Sequence, residues 1–146
     1  GIDIGGTKCA VIVGLTRGTT RAHLARAALE AMAYGTADVV DTVRAQGVAL
    51  DTLRVDGGAT ANDWLMQFQA DVLQVAVERP AMIETTALGA AGLAGIAAGV
   101  WQSPDEFLAS RRFTRFAPQA PSDEVAAAYA GWRRAVRATL AWANDR

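Results

Sequence analysis

The feature that most constrains this chain is a turn between a short apolar strand and an amphipathic helix. It lies in residues 53–72, which read LRVDGGATANDWLMQFQADV. Two adjacent glycines, Gly57 and Gly58, occupy the turn, and the helix is predicted to open near Asn62. Glycines let the backbone approach a flat or charged ligand closely, and the first free N–H groups of the helix face the same space. The pattern predicts a nucleotide pocket; the alternative is that Asn62 only caps the helix.

The composition indicates one folded domain. The chain has 146 residues, of which 51% are hydrophobic and 20% charged, and this is too short for two ordinary domains. The net charge of −1 gives no electrostatic basis for binding nucleic acid. Cys9 and His23 stand alone, so neither a disulfide nor a zinc site is expected, which agrees with a cytoplasmic setting.

Apolar periodicity predicts an α/β layered sheet in the order β-β-α-β-α-β-α plus carboxy-terminal helices. Strands are expected at residues 2–4, 10–13, 53–55 and 75–77. Helices are expected at residues 20–46, 61–73, 85–99 and 123–144, with a short one that begins at Ser103-Pro104. Residues 117–122 hold two prolines and are expected to form a loop. No third antiparallel strand is evident, and the bare sheet edge would favour a homo-oligomer.

The first long helix has clear end signals. Thr19 or Thr20 is the expected N-cap, and Gly47 is the expected glycine just past the last turn. Gly35, within the helix, predicts either close packing or a kink. The predicted apolar stripe comprises Leu24, Ala28, Ala31, Met32, Val39 and Val43.

The uncharged residues 87–101 predict a tightly packed, buried helix. This run is too short to span a bilayer, so no membrane association is expected. Thr85 or Thr86 is the expected cap, and Gly92, Gly95 and Gly99 would let a neighbouring element approach closely.

A second candidate site lies at the start of the chain, which reads GIDIGGTK. Asp3 ends a strand, and the turn Gly5-Gly6-Thr7-Lys8 follows. The backbone amides of such a turn can form a nest for phosphate, and Lys8 would neutralise phosphate charge. Asp3 would hold Mg²⁺ through water. The alternative is an ordinary tight β-hairpin without a ligand.

Four segments resemble the carboxy-terminal region of glycerol kinases, in the sugar-kinase branch of the actin-like ATPases, and follow that family's order. They are residues 14–19 (GLTRGT), 53–72, 84–89 (ETTALG) and 131–142 (GWRRAVRATLAW). The opening GIDIGGTK instead resembles the phosphate hairpin of the bacterial glucokinase and repressor-kinase branch. Together these resemblances imply a single RNase-H-like lobe of the actin-like ATPase class in a cytoplasmic enzyme.

The resemblance also implies an activity, namely phosphoryl transfer from ATP, with Mg²⁺, to glycerol or a similar polyol. It places Gly58 against the nucleotide and Asn62 on the adenine or its ribose. Arg17 either reaches an anion or is simply an exposed arginine. Gly92 stands where glycerol kinases commonly carry an aromatic residue, which implies a local cavity or repacking. The family's glycerol pocket and general base have no counterpart in this chain, so its catalytic residues are unknown.

The expected organisation has three parts. Residues 1–14 form the phosphate-binding hairpin, residues 15–103 the ATPase lobe, and residues 104–146 a helical tail packed on the lobe. The missing polyol pocket implies a truncated or chimeric chain. Three interpretations remain open: a glycerol-kinase-like phosphotransferase, an isolated nucleotide-binding lobe without catalysis, and a structural remnant that binds nothing.

Overall fold

The computed structural model describes residues 12–82, 84–109 and 111–144. Most of the predicted amino-terminal hairpin therefore lies outside the described residues. Ile12 and Val13, the described end of its second predicted strand, lie in an irregular exposed segment and not in a strand. The prediction of a strand that reaches Val13 is wrong for these two residues.

Helix α1 (Arg21–Ala45) has the predicted ends. Thr20 is its N-cap, and the backbone N–H of Thr20 donates to Nδ1 of His23 at 3.0 Å. Gly47 follows the helix with a φ of +81°, and its N–H donates to the carbonyl of Arg44 at 2.9 Å. A Cβ added to Gly35 would meet no atom within 4 Å, so close packing does not explain that glycine.

The described sheet has three strands in the order β1-β2-β3. Strands β1 (Thr52–Arg54) and β2 (Ala76–Pro80) run parallel, joined through helix α2 (Asp63–Leu73). Strand β3 (Phe113–Phe116) pairs antiparallel with β2. This antiparallel strand was not found from the sequence. Four residues with a polar centre, FTRF, give little periodic signal, and their strand conformation depends on pairing with β2.

The hydrophobic core lies between α1, α2 and β2, and helix α5 (Ser122–Asn144) packs against it. The ring of Tyr34 is its centre, stacked on Tyr129 and Trp132 of α5 at centroid distances of 5.9 and 5.8 Å. The buried cluster comprises Ala33, Tyr34, Ala37, Val40, Leu65, Met66, Ala70, Val72, Leu73 and Val77.

The buried stripe of α1 differs from the predicted one. Met32, Val39 and Val43 are 45%, 64% and 41% exposed. The buried positions are Ala31, Ala33, Tyr34, Ala37 and Val40, of which only Ala31 was predicted. Because apolar residues surround much of α1, periodicity cannot choose between neighbouring stripes. The helices that pack against α1 make that choice.

Helix α3 (Thr85–Ala97) begins and ends close to the predicted positions, but it is not buried. Its N-cap is Glu84, so the predicted cap at Thr85 or Thr86 is wrong. Gly92 is the buried residue of α3 in the described chain. Low charge predicts burial only when another element covers the helix, and among the described elements the main cover is α4 (Pro104–Ala109).

Gly92 and Gly95 of α3 admit close neighbours, as predicted, but the same prediction is wrong for Gly99, which follows the helix with φ +76° and would place a Cβ in open space. The ring of Phe107 in α4 lies over Gly92, and the ring of Trp101 lies over Gly95. The two rings meet edge to face at 4.9 Å. None of the helices in the described part of the chain is long and apolar enough to cross a membrane.

Candidate nucleotide-binding site

The strand-to-helix turn after β1 has a defined and unusual backbone. Gly57 has φ +87° and ψ 168°, a region open almost only to glycine. A single 3₁₀ turn, Gly58–Ala61, follows, and Asn62 is the N-cap of α2. A Cβ added to Gly57 or Gly58 would meet no atom within 4 Å. The glycines therefore face open space at the amino-terminal end of a helix, where an anionic or planar ligand can approach.

The interior of this turn is held by side chains. Thr60 is buried, and its hydroxyl donates to the carbonyl of Gly57 at 2.7 Å. Asn62 accepts the N–H of Leu65 through Oδ1 at 3.1 Å. Asn62 is thus a helix cap, as the alternative interpretation proposed. The cap uses only Oδ1, and no described residue engages the amide nitrogen of Asn62.

The turn is also tied to the start of α3. The hydroxyl of Thr85 donates to the carboxylate of Asp56, the residue before the two glycines. Thr85 is the first residue of α3, after the cap position, and its hydroxyl makes this tertiary contact instead of a cap. It joins the end of the β1 segment to the segment after β2, and the sequence spacing gave no sign of it.

The side chain of Arg79 makes a second set of contacts with the turn that the sequence did not predict. One nitrogen of its guanidinium, Nη1, donates to the carbonyl of Thr60 and to Oδ1 of Asp63, both at 2.7 Å. Its side chain is 17% exposed, and its Cζ lies 5.3 Å from the ring centroid of Phe116 in β3. The sequence shows only an arginine before Pro80 and gives no sign of these contacts.

The structure brings together three predicted site residues, Gly57, Gly58 and Asn62, within one turn. Arg17 lies in an exposed turn before α1. The predicted phosphate and metal residues lie outside the described residues; these are Asp3, Gly5, Gly6, Thr7 and Lys8.

Comparison with known proteins identifies the family. Residues 6–98 match the FGGY family of carbohydrate kinases, C-terminal domain. The chain belongs to this family. The match begins inside the predicted hairpin, and the resemblance of that hairpin to glucokinases stays a prediction.

Curated relatives of this FGGY chain include glycerol kinases. It is 56% identical to glycerol kinase of Burkholderia ambifaria over 136 residues, which cover 92% of the chain and 27% of the relative. It is 53% identical to glycerol kinase of Symbiobacterium thermophilum over 137 residues, 92% of the chain and 28% of the relative. The chain thus spans about 27% of the length of these relatives, and the resemblance to glycerol kinases is confirmed.

Solved structures agree with the FGGY assignment. Plasmodium falciparum glycerol kinase with ADP superposes with a TM-score of 0.74 at 35% identity, over 87% of this chain and 26% of that one. Xylulose kinase from Rhodospirillum rubrum superposes with a TM-score of 0.72 at 31% identity, over 91% of this chain and 28% of that one. The predicted α/β lobe of the actin-like ATPase class is confirmed by these matches.

Proposed function

We propose that this chain is the adenosine-binding part of an ATP-dependent kinase that converts glycerol to glycerol 3-phosphate. The observation that carries the proposal is the Gly57-Gly58 turn, which opens to free space at the start of α2. Support also comes from 56% identity to a glycerol kinase and from the likeness to a glycerol kinase solved with ADP.

Each residue of the turn has a proposed role. Gly58 lies flat against the nucleotide because a glycine leaves no side chain between backbone and ligand. Asn62 donates from its amide nitrogen to the adenine or its ribose while its Oδ1 keeps the helix cap. The partial positive charge at the start of α2 favours the anionic ligand.

The phosphate end of the ligand is assigned to the amino-terminal segment. Gly5, Gly6, Thr7 and Lys8 contact the phosphates, and Asp3 holds Mg²⁺ through water. The described residues contain no cluster of three or more His, Cys, Asp or Glu side chains suited to a metal ion. These described residues do not by themselves fit a resident metal.

The closing test is calorimetric titration of the chain with Mg-ATP, with and without glycerol. Binding that tightens with glycerol supports a polyol-linked kinase site. An affinity for Mg-ATP that does not change with glycerol supports the second candidate, a nucleotide-binding lobe that transfers no phosphoryl group. The match to a C-terminal domain alone favours this second candidate. No binding at millimolar ATP overturns both and leaves a structural remnant.

A matched variant separates the two roles of Asn62. Asn62→Asp keeps a side-chain oxygen that can accept the cap hydrogen bond and removes the amide donor. We expect the midpoint of urea unfolding to stay near that of the wild type and the affinity for Mg-ADP to fall about tenfold. Asn62→Ala, the control, loses both roles, so its stability and affinity fall together. Unchanged affinity in Asn62→Asp contradicts the proposed contact.

The proposal includes a cytoplasmic location and a homo-oligomer. Strand β1 lies at the edge of the described sheet, which leaves backbone groups for another strand. Light scattering after size-exclusion chromatography gives the mass in solution, and a strictly monomeric mass contradicts the oligomer.

A further inference from the structure

Arg79 combines burial with contacts to the backbone of the glycine turn. Its Nη1 lies 2.7 Å from the carbonyl oxygen of Thr60 and 2.7 Å from Oδ1 of Asp63. Asp63 is the first residue of α2 and is itself 75% exposed at its side chain. The same guanidinium therefore contacts both the 3₁₀ turn and the first turn of α2.

The side chain of Arg79 packs against other residues of the sheet. Val77 and Arg79 lie two residues apart on β2, so both side chains emerge on the same face of the sheet. Val77 is fully buried in the core, and the guanidinium of Arg79 lies over the ring of Phe116. A planar guanidinium on an aromatic face has a defined orientation, which a flexible ammonium group lacks.

The bond to Thr60 orients a peptide group of the turn. In a trans peptide the carbonyl and the following N–H point in opposite directions. Holding the Thr60 carbonyl on Arg79 therefore points the N–H of Ala61 away from the guanidinium, and Ala61 is exposed. Without the guanidinium this carbonyl loses a charge-assisted bond, and the peptide is held by the backbone hydrogen bonds of the 3₁₀ turn.

We infer that Arg79 is the positioning residue of the nucleotide-binding turn. It does not contact the ligand; it holds the backbone from Thr60 to Asp63 so that Gly58 and Asn62 face the nucleotide. This inference rests on the proposed function for the identity of the ligand. The ring that packs against Arg79 belongs to Phe116, which lies outside residues 6–98, the segment that matches the family.

The test compares Arg79→Met with a matched control, Arg54→Met. Arg54 also pairs with a carboxylate, Glu78 at 3.3 Å, and lies over a phenylalanine ring, Phe113 at 5.0 Å. No described contact joins Arg54 to the turn. Both variants remove one ion pair and one ring contact, so a general loss of sheet stability affects both.

Two readouts are measured on the 146-residue chain: amide hydrogen exchange across residues 58–65, and the dissociation constant for Mg-ADP. In Arg79→Met we expect exchange in this segment to rise about tenfold, with exchange in α5 unchanged, and Mg-ADP affinity to fall about tenfold. Arg54→Met is expected to leave both near the wild type. Arg79→Lys, which keeps the positive charge, is expected to show exchange rates and Mg-ADP affinity between those of Arg79→Met and the wild type.

The outcomes separate the two proposals. Wild-type exchange across residues 58–65 in Arg79→Met overturns the positioning role, whether or not ADP binds. Raised exchange in the variant together with no ADP binding by the wild type supports the positioning role and overturns the proposed function. If Arg79→Met does not fold, the comparison is made with Arg79→Lys, where full wild-type exchange and affinity overturn the inference.

Discussion

The two glycines of the nucleotide turn have different roles at the scale of single residues. Gly57 is required for its backbone, since φ +87° with ψ 168° is accessible almost only to glycine. Gly58 lies in the 3₁₀ turn without a positive φ, and a Cβ there would project into open space. Gly57 is therefore required by the fold, whereas Gly58 leaves open the space that the proposed ligand would occupy.

This difference makes a paired prediction. Gly57→Ala should lower the free energy of unfolding by about 1–3 kcal/mol because alanine is strained at that φ. Gly58→Ala should leave the free energy of unfolding within about 0.5 kcal/mol of the wild type and weaken Mg-ADP binding because the methyl group occupies ligand space. Urea unfolding and calorimetry measure the two effects. Equal stability of the two variants, or unchanged binding by Gly58→Ala, contradicts the assignment.

The site residues that sequence reasoning found are those that are close in sequence. Gly57, Gly58 and Asn62 form a local strand-turn-helix pattern, so their types and spacing predicted the turn. Arg79 reaches Thr60 across 19 positions. Only the completed β1-α2-β2 unit, with β3 beside it, brings the guanidinium to the turn.

At the scale of elements, α3 shows how small residues set a packing distance. A Cβ added to Gly92 would lie 2.5 Å from Cε1 of Phe107, and one added to Gly95 would overlap Trp101. At Gly89, in the same helix, it would meet no atom within 4 Å. The ring of Phe107 occupies the space beside Gly92 that a side chain there would need.

These three positions form an internal control for helix propensity. Gly89→Ala should raise the free energy of unfolding by about 0.5–1 kcal/mol because alanine is the better helix former. Gly92→Ala and Gly95→Ala should lower it by about 1–3 kcal/mol, since the rigid rings must move and the overlap outweighs the propensity gain. Thermal and urea unfolding measure all three. Stabilisation at Gly92 or Gly95 would show that α4 and Trp101 are not packed on α3.

At the scale of the whole molecule, a polar network joins distant parts of the chain. The hydroxyl of Tyr129 donates to Oδ1 of Asp38 at 2.6 Å, and Nε1 of Trp132 donates to Oδ2 of Asp38 at 2.7 Å. Arg133 adds an ion pair to Asp41 at 2.6 Å. These bonds dock α5 on α1, which brings residues after the family match onto the core.

The network makes stability depend on pH in the alkaline range. Burial, and then the hydrogen bond to Asp38, raises the pKa of Tyr129 from 10.0 to about 12. The fold therefore favours the neutral phenol. Its contribution is fully present below pH 10, the pKa in the unfolded chain, and is lost as the pH rises through about 12.

Urea unfolding between pH 9 and pH 12 tests this dependence against Tyr129→Phe. The variant lacks the hydroxyl, so it should be less stable at pH 9 and lose less stability as the pH rises. Tyr34, whose pKa burial also raises, is present in both proteins, so its effect cancels in the difference. Parallel stability curves for the two proteins would contradict the role of Tyr129.

The sequence by itself determined the local features of this protein: the glycine turn, the N-cap at Thr20, the glycine end of α1 and the family. The turn and the two helix ends depend on residue types within one or two turns of chain, where spacing and backbone preference act directly, whereas the family resemblance rests on four segments spread along the sequence. The tertiary structure alone decided which stripe of α1 is buried, that FTRF is a strand, that α3 stays exposed, and that Arg79 holds the turn. Those features depend on partners far apart in sequence, and the free energy of burial and pairing is defined only once the partner is in place.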